Sequence, residues 1–118
     1  MLDVSTPMAY NINVIILETS VFTRQVQVLL TDDEYRQLQA ALVQRPDMGA
    51  VIPGSGGLRK VRWSAPGKGK RGGTRIIYYW AVAQDRILML LIFAKSDQDD
   101  LTPYQLRVLR KLVEEEYP

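Results

Sequence analysis

Between residues 59 and 75 the chain carries seven of its fifteen basic residues, and from 48 to 84 it has no Asp or Glu. Arg59, Lys60, Arg62 and Arg75 sit among apolar residues in "LRKVRW" and "TRIIYYW", while Lys68, Lys70 and Arg71 lie in the intervening "GKGKRGG". The other eight basic residues are set against all thirteen acids, a net of about −5, so the overall +2 conceals one strongly positive segment. Cations at this density suit a polyanion. Lys and Arg contact phosphate oxygens, and a tyrosine beside them, Tyr79, can stack on an unpaired base or simply pack. For Lys68, Lys70 and Arg71 a second reading stays open, as solvated charges on a hairpin loop. That reading fits Lys60, Arg62 and Arg75 less well, because they lie within strand-like runs and repel one another.

What is missing narrows the chemistry further. With no cysteine there is no disulfide, thiolate nucleophile or zinc-thiolate site. With no histidine the usual general base and a common metal ligand are gone, so proton transfer falls to Lys, Arg, Tyr, Asp or Glu. "GKGKRGG" lacks the order of a P-loop, and Gly54, Gly56 and Gly57 precede a strand rather than link a strand to a helix. Asp97, Asp99 and Asp100 are close together but lack a calcium-loop pattern, and a solvated loop is the simpler reading. No metal and no cofactor is therefore expected. The absence of cysteine suits a reducing cytoplasm. The longest apolar run, 87–94, is eight residues and too short to span a bilayer, so no membrane role is expected.

The elements that must position these cations follow from periodicity and punctuation. At 118 residues the chain predicts one domain with one core, covering 11–118, after a weakly ordered extension over 1–10. "NINVIILE" reads as a first strand, and Thr19 or Ser20 can cap a helix through "VFTRQVQVLL". Thr31 and Glu34 form a capping-box pattern for a second helix that Pro46 stops, with Tyr35, Leu38 and Leu42 on its apolar face. "GAVIPGSGG" reads as turn and loop, and three strands follow at about 58–64, 74–82 and 86–95. The first two are joined by the basic loop and the last two by the tight "AQD", which favours an antiparallel meander. Thr102 and Pro103 open a final helix. The order β-α-α-β-β-β-α predicts an α+β fold: a small, mostly antiparallel sheet with helices packed on one face. Strand parity then puts Val61, Trp63, Ile76, Tyr78, Leu90 and Ile92 under the helices. It leaves Lys60, Arg62, Arg75, Tyr79 and Lys95 to gather on the open face.

Three stretches, "GSGGLRKVRW", "GKGKRGGTRIIYYW" and "LLIFAKSDQDDLTPYQ", resemble the HigB branch of the RelE-type toxins, with similarity running over roughly 14–112. The resemblance implies a type II toxin that enters the ribosomal A site and cleaves mRNA. It also implies an antitoxin partner, often carrying a helix-turn-helix domain, that holds the toxin inactive. The family's basic residues on the open sheet face match Lys60, Arg62 and Arg75, and Lys95 matches the lysine that closes the last strand. Arg59, Lys68, Lys70, Arg71 and Tyr79 would then help to hold the RNA. Some relatives have an arginine after that lysine and a tyrosine soon afterwards, where this chain has Ser96 and Thr102, with Tyr104 only a loose substitute. The general base is thus left open between Lys60 and Lys95. Two further readings are a non-catalytic RNA-binding module and a ParE-like toxin acting on gyrase.

Overall fold

The computed structural model describes residues 14–64 and 73–118. The expected extension over 1–10 and the loop cations Lys68, Lys70 and Arg71 lie outside the described residues. Strand β1 (Ile15–Glu18) leads into helix α1 (Ser20–Leu29) and helix α2 (Asp32–Gln44). Strands β2 (Ala50–Val51), β3 (Arg59–Trp63), β4 (Thr74–Ala81) and β5 (Arg86–Ala94) follow, and helix α3 (Pro103–Glu116) ends the order. The five strands form one sheet in the order β1-β5-β4-β3-β2. Among the described residues only the β1–β5 pairing is parallel; the remainder is antiparallel, as short connections between β3, β4 and β5 require.

Local chemistry explains where the helices begin. The Thr19 hydroxyl accepts from the backbone N–H of Phe22 at 3.1 Å and starts α1. Thr31 and Glu34 close a capping box on α2, and Thr102 and Gln105 close another on α3, with Pro103 in its first turn. Val82, expected at the end of a strand, opens instead a 3-10 turn (Val82–Gln84) between β4 and β5. Asp85 closes that turn with φ of 54°, a left-handed conformation that Asp tolerates better than most residues. "AV" at 50–51, read as loop, adds the short edge strand β2 against Arg59 and Lys60.

The sheet is covered on both faces, not on one. Phe22 and Val26 of α1 and Leu38 and Leu42 of α2 pack on Val61, Ile76, Tyr78, Ile87, Met89 and Ile92. Leu109 and Val113 of α3 pack on the opposite residues Leu58, Ile77, Leu88, Leu90 and Phe93. Ile77 is fully buried, so α3 covers part of the face expected to be open. Leu90 also sits on the α3 side, not under α1 and α2 as parity from Ile92 predicts. The cause is a β-bulge: Ile77 pairs with Leu91 but Tyr78 with Met89, leaving Leu90 as the extra residue. One extra residue reverses the inward and outward alternation along β5. The Thr19 hydroxyl donates to the Leu90 carbonyl at 2.8 Å, which ties the bulge to the start of α1.

Candidate nucleic-acid interface

The register of the two central hairpin arms builds a cationic patch. Lys60 lies opposite Ile77 and Arg62 opposite Arg75, so all four point to the α3 side of the sheet. Directly opposed residues in an antiparallel pair have Cβ atoms roughly 5 Å apart, a separation at which like charges repel. The loop between β5 and α3 answers that repulsion. Asp99 Oδ1 accepts from Arg75 Nε at 2.8 Å, and Asp100 Oδ1 pairs with the Lys60 ammonium, which also donates to the Asp99 carbonyl at 3.2 Å. The Arg75 side chain is only 6% exposed and that of Lys60 only 15%, whereas Asp99 and Asp100 stand 50% and 75% exposed. Both carboxylates thus lie over the cations from the solvent side.

Arg62 is different. Its side chain is exposed and, among the described residues, forms no ion pair. Even so, it belongs to the same centre. The hydrogen bond from Arg75 holds the Asp99 carboxyl below its ordinary range, and the charges of Arg75, Lys60 and Arg62 add to that effect. Three cations from two strands therefore converge on one carboxylate.

Local hydrogen bonds fix the loop that supplies the acids. The backbone N–H groups of Asp97 and Gln98 donate to the Ala94 carbonyl at 3.0 and 3.2 Å. The Gln98 side-chain amide donates to the Asp100 carbonyl and to Gln105 Oε1, both at 2.9 Å. Gln105 Oε1 in turn accepts from the backbone N–H of Thr102 at 3.0 Å, so the capping box of α3 anchors the loop as well. Among the described residues no group of His, Cys, Asp and Glu side chains is placed to hold a metal ion.

The other residues singled out by sequence distribute themselves around this centre. Lys95 follows the last residue of β5 and is exposed, and its backbone N–H donates to the Gly73 carbonyl at 3.2 Å. That contact sets it at the same end of the sheet as Arg75, which pairs with Phe93. Tyr79 shares the face of Arg75 but lies four residues along the strand, where its ring stacks on Tyr117 with centroids 5.8 Å apart. Arg59 is not brought to the patch. It pairs with Tyr78 on the α1–α2 side, and its guanidinium donates to the carbonyls of Gly49 at 2.7 Å and Asp47 at 3.2 Å. Asp99 and Asp100, read from sequence as a solvated loop, instead pair with Arg75 and Lys60, and Gln98 was not singled out. The signal for the two acids was electrostatic: a block of unopposed cations needs counter-charge, and Asp97, Asp99 and Asp100 are the first acids after the last sheet strand.

Comparison with known proteins places this arrangement. Residues 16–117 match the family described as "RelE toxin of RelE / RelB toxin-antitoxin system". The fold resembles that of a mutant of the E. coli toxin RelE in the free state, with a TM-score of 0.54 at 11% identity over 73% of this chain and 87% of that one. It also resembles a chain of the intact E. coli RelBE toxin-antitoxin complex, with a TM-score of 0.51 at 13% identity over 69% and 95% of the two chains. The isolated E. coli RelE toxin gives a TM-score of 0.50 at 10% identity over 84% and 98%. At such low identities the structures speak for the fold. The match along nearly all of the sequence decides the family, and this chain belongs to the RelE family of toxins.

Proposed function

We propose that this protein is a ribosome-dependent endoribonuclease of the HigB branch, which cleaves mRNA in the ribosomal A site and is held inactive by a cognate antitoxin in the cytoplasm. The observation that carries the reading is the convergence of Lys60, Arg62 and Arg75 on one side of adjacent strands. Phosphate oxygens are the natural ligands of such a set.

The reaction has the RNA 2′-hydroxyl lose its proton to a base while its oxygen attacks the adjacent phosphate. A 2′,3′-cyclic phosphate forms, the P–O5′ bond breaks, and the leaving 5′-oxygen takes a proton. Arg62, exposed and facing Arg75, stabilises the charge that builds on the phosphate oxygens. Arg75, held by Asp99, supplies a second guanidinium from the neighbouring strand. Lys60 and Lys95 are the candidates for proton transfer. Lys60 is engaged by Asp100 and Lys95 is exposed, so Lys95 is the more accessible of the two. Correct proton transfer contributes about 10²- to 10⁴-fold, and the ribosome's positioning of the RNA supplies much of the remainder.

The complex of E. coli RelE with RelB supports the expectation of an antitoxin partner for this chain. Induced expression of the wild-type protein without its antitoxin tests the reading. Arrested growth with cleaved messages, relieved by Arg62→Ala, is the expected result. Arrest with intact messages and damaged DNA topology would favour a gyrase-directed toxin instead.

A further inference from the structure

We propose that Asp99 and Asp100 act as built-in stand-ins for RNA phosphates, occupying Arg75 and Lys60 so that only RNA presented by a larger assembly displaces them. This rests on the reading of the sheet-face cations as an RNA site. It concerns which RNA the site admits, and gives the two acids a specificity role.

The geometry carries it in three steps. First, the two cations buried deepest in the patch are the two that are paired, each with a carboxylate that is at least half exposed. A phosphate approaching from solvent therefore meets Asp99 and Asp100 before it meets Arg75 or Lys60. Second, the acids are not loosely tethered. Gln98 and Gln105 hold the loop at 2.9 Å contacts, and the capping box of α3 fixes its far end. A carboxylate fixed in place competes as if present at high local concentration, which free RNA must overcome by mass action. Third, Arg62 is left without an ion pair among the described residues, so the patch retains one exposed cation for a first contact.

The device makes free RNA a poor ligand, while a message fixed at the decoding site, pressed against the patch by other contacts, replaces the carboxylates. A pure positioning role for the same acids predicts the opposite effect, because their loss would then weaken RNA contact.

The test measures binding of a fluorescein-labelled single-stranded RNA of about ten nucleotides without ribosomes. Wild type is compared with Asp100→Asn, Asp99→Asn/Asp100→Asn and the conservative Asp100→Glu. Thermal melting confirms that each variant is folded, and Asp100 is exposed enough for its replacement to be tolerated. Asp100→Asn is expected to tighten binding on the order of fivefold, the scale of one exposed ion pair. The double variant is expected to bind tighter still and to steepen the salt dependence, by about 0.7 in log–log slope for each phosphate gained. Asp100→Glu should stay near wild type. Equal or weaker binding by the Asn variants overturns the proposal. Messenger cleavage with ribosomes, measured on the same proteins, separates the two levels of the account. Cleavage without the gain in free-RNA binding overturns the gate and leaves the nuclease reading standing, while tighter binding by the Asn variants with no cleavage by wild type supports the gate and overturns the nuclease reading.

Discussion

Arg62 and Arg75 face each other directly across β3 and β4, one exposed and the other buried beneath Asp99. That pairing sets two guanidinium groups of different character side by side. The exposed one is available for first contact, while the buried one is held in a defined direction by its carboxylate. Asp99, bonded to Arg75 and under the charge of Arg62, offsets repulsion between the two.

This difference predicts a separation of stability from activity. Arg62→Ala removes an exposed side chain with no ion pair among the described residues and should change unfolding free energy by no more than about 0.5 kcal/mol. Arg75→Ala removes a buried partner of Asp99 and should shift the urea midpoint further. Both should reduce cleavage of ribosome-bound mRNA by at least about tenfold, since each removes charge from the phosphate site. Equal loss of stability in the two variants would contradict the assignment of exposed and buried roles.

Asp99 gives the protein a pH dependence with a defined sign. Its carboxyl titrates below the ordinary 3.8 in the folded state, chiefly because Arg75 donates a hydrogen bond to it. A group with a depressed folded pKa adds stability above its unfolded value and loses it as pH falls through the folded value. Melting temperature should therefore fall below about pH 4, and Asp99→Asn should flatten this acid limb. An unchanged limb in the variant would show that other carboxylates control it.

Thr19 should matter more than an exposed threonine usually does. Its hydroxyl accepts from Phe22 N at the start of α1 and donates to the Leu90 carbonyl at the bulge. Thr19→Ala removes both bonds and should cost about 1–2 kcal/mol in a denaturant melt, at the upper end for a lost helix cap. Thr19→Ser keeps the hydroxyl and should recover most of that loss.

Those contacts also mark how far the sequence could be read. The capping box of α2 was legible because Thr31 and Glu34 are local, as were the start of α3 at Thr102 and Pro103 and the three long strands with their alternating apolar residues; the part of Gln105 in the α3 cap was not read. The family resemblance was legible from "GSGGLRKVRW" and its neighbours, although the assignment to one branch goes beyond the family match. Two features escaped for physical reasons. A bulge is a one-residue shift in pairing, so nothing at Leu90 announces that the faces exchange there. The second is the far cover of the sheet: α3 folds back onto Ile77 and Leu88 through contacts distant in sequence, which periodicity in either element cannot specify. Parity brought Lys60, Arg62 and Arg75 together correctly, because register between β3 and β4 is uninterrupted. It was silent about Asp99 and Asp100, which lie 24 and 40 residues from their partners. The same alternation sets Arg59, two residues before Val61, on the α1–α2 side, where its guanidinium reaches Gly49 and not the patch.

Primer extension on a defined message in a reconstituted translation system tests the central claim most directly. The account predicts cuts at codons in the ribosomal A site, ending in a 2′,3′-cyclic phosphate, present with ribosomes and absent without them. Arg62→Ala and Arg75→Ala should remove the cuts while leaving folded protein. Intact message in the presence of wild-type protein that still arrests growth would contradict it, and would move the search for a target away from RNA.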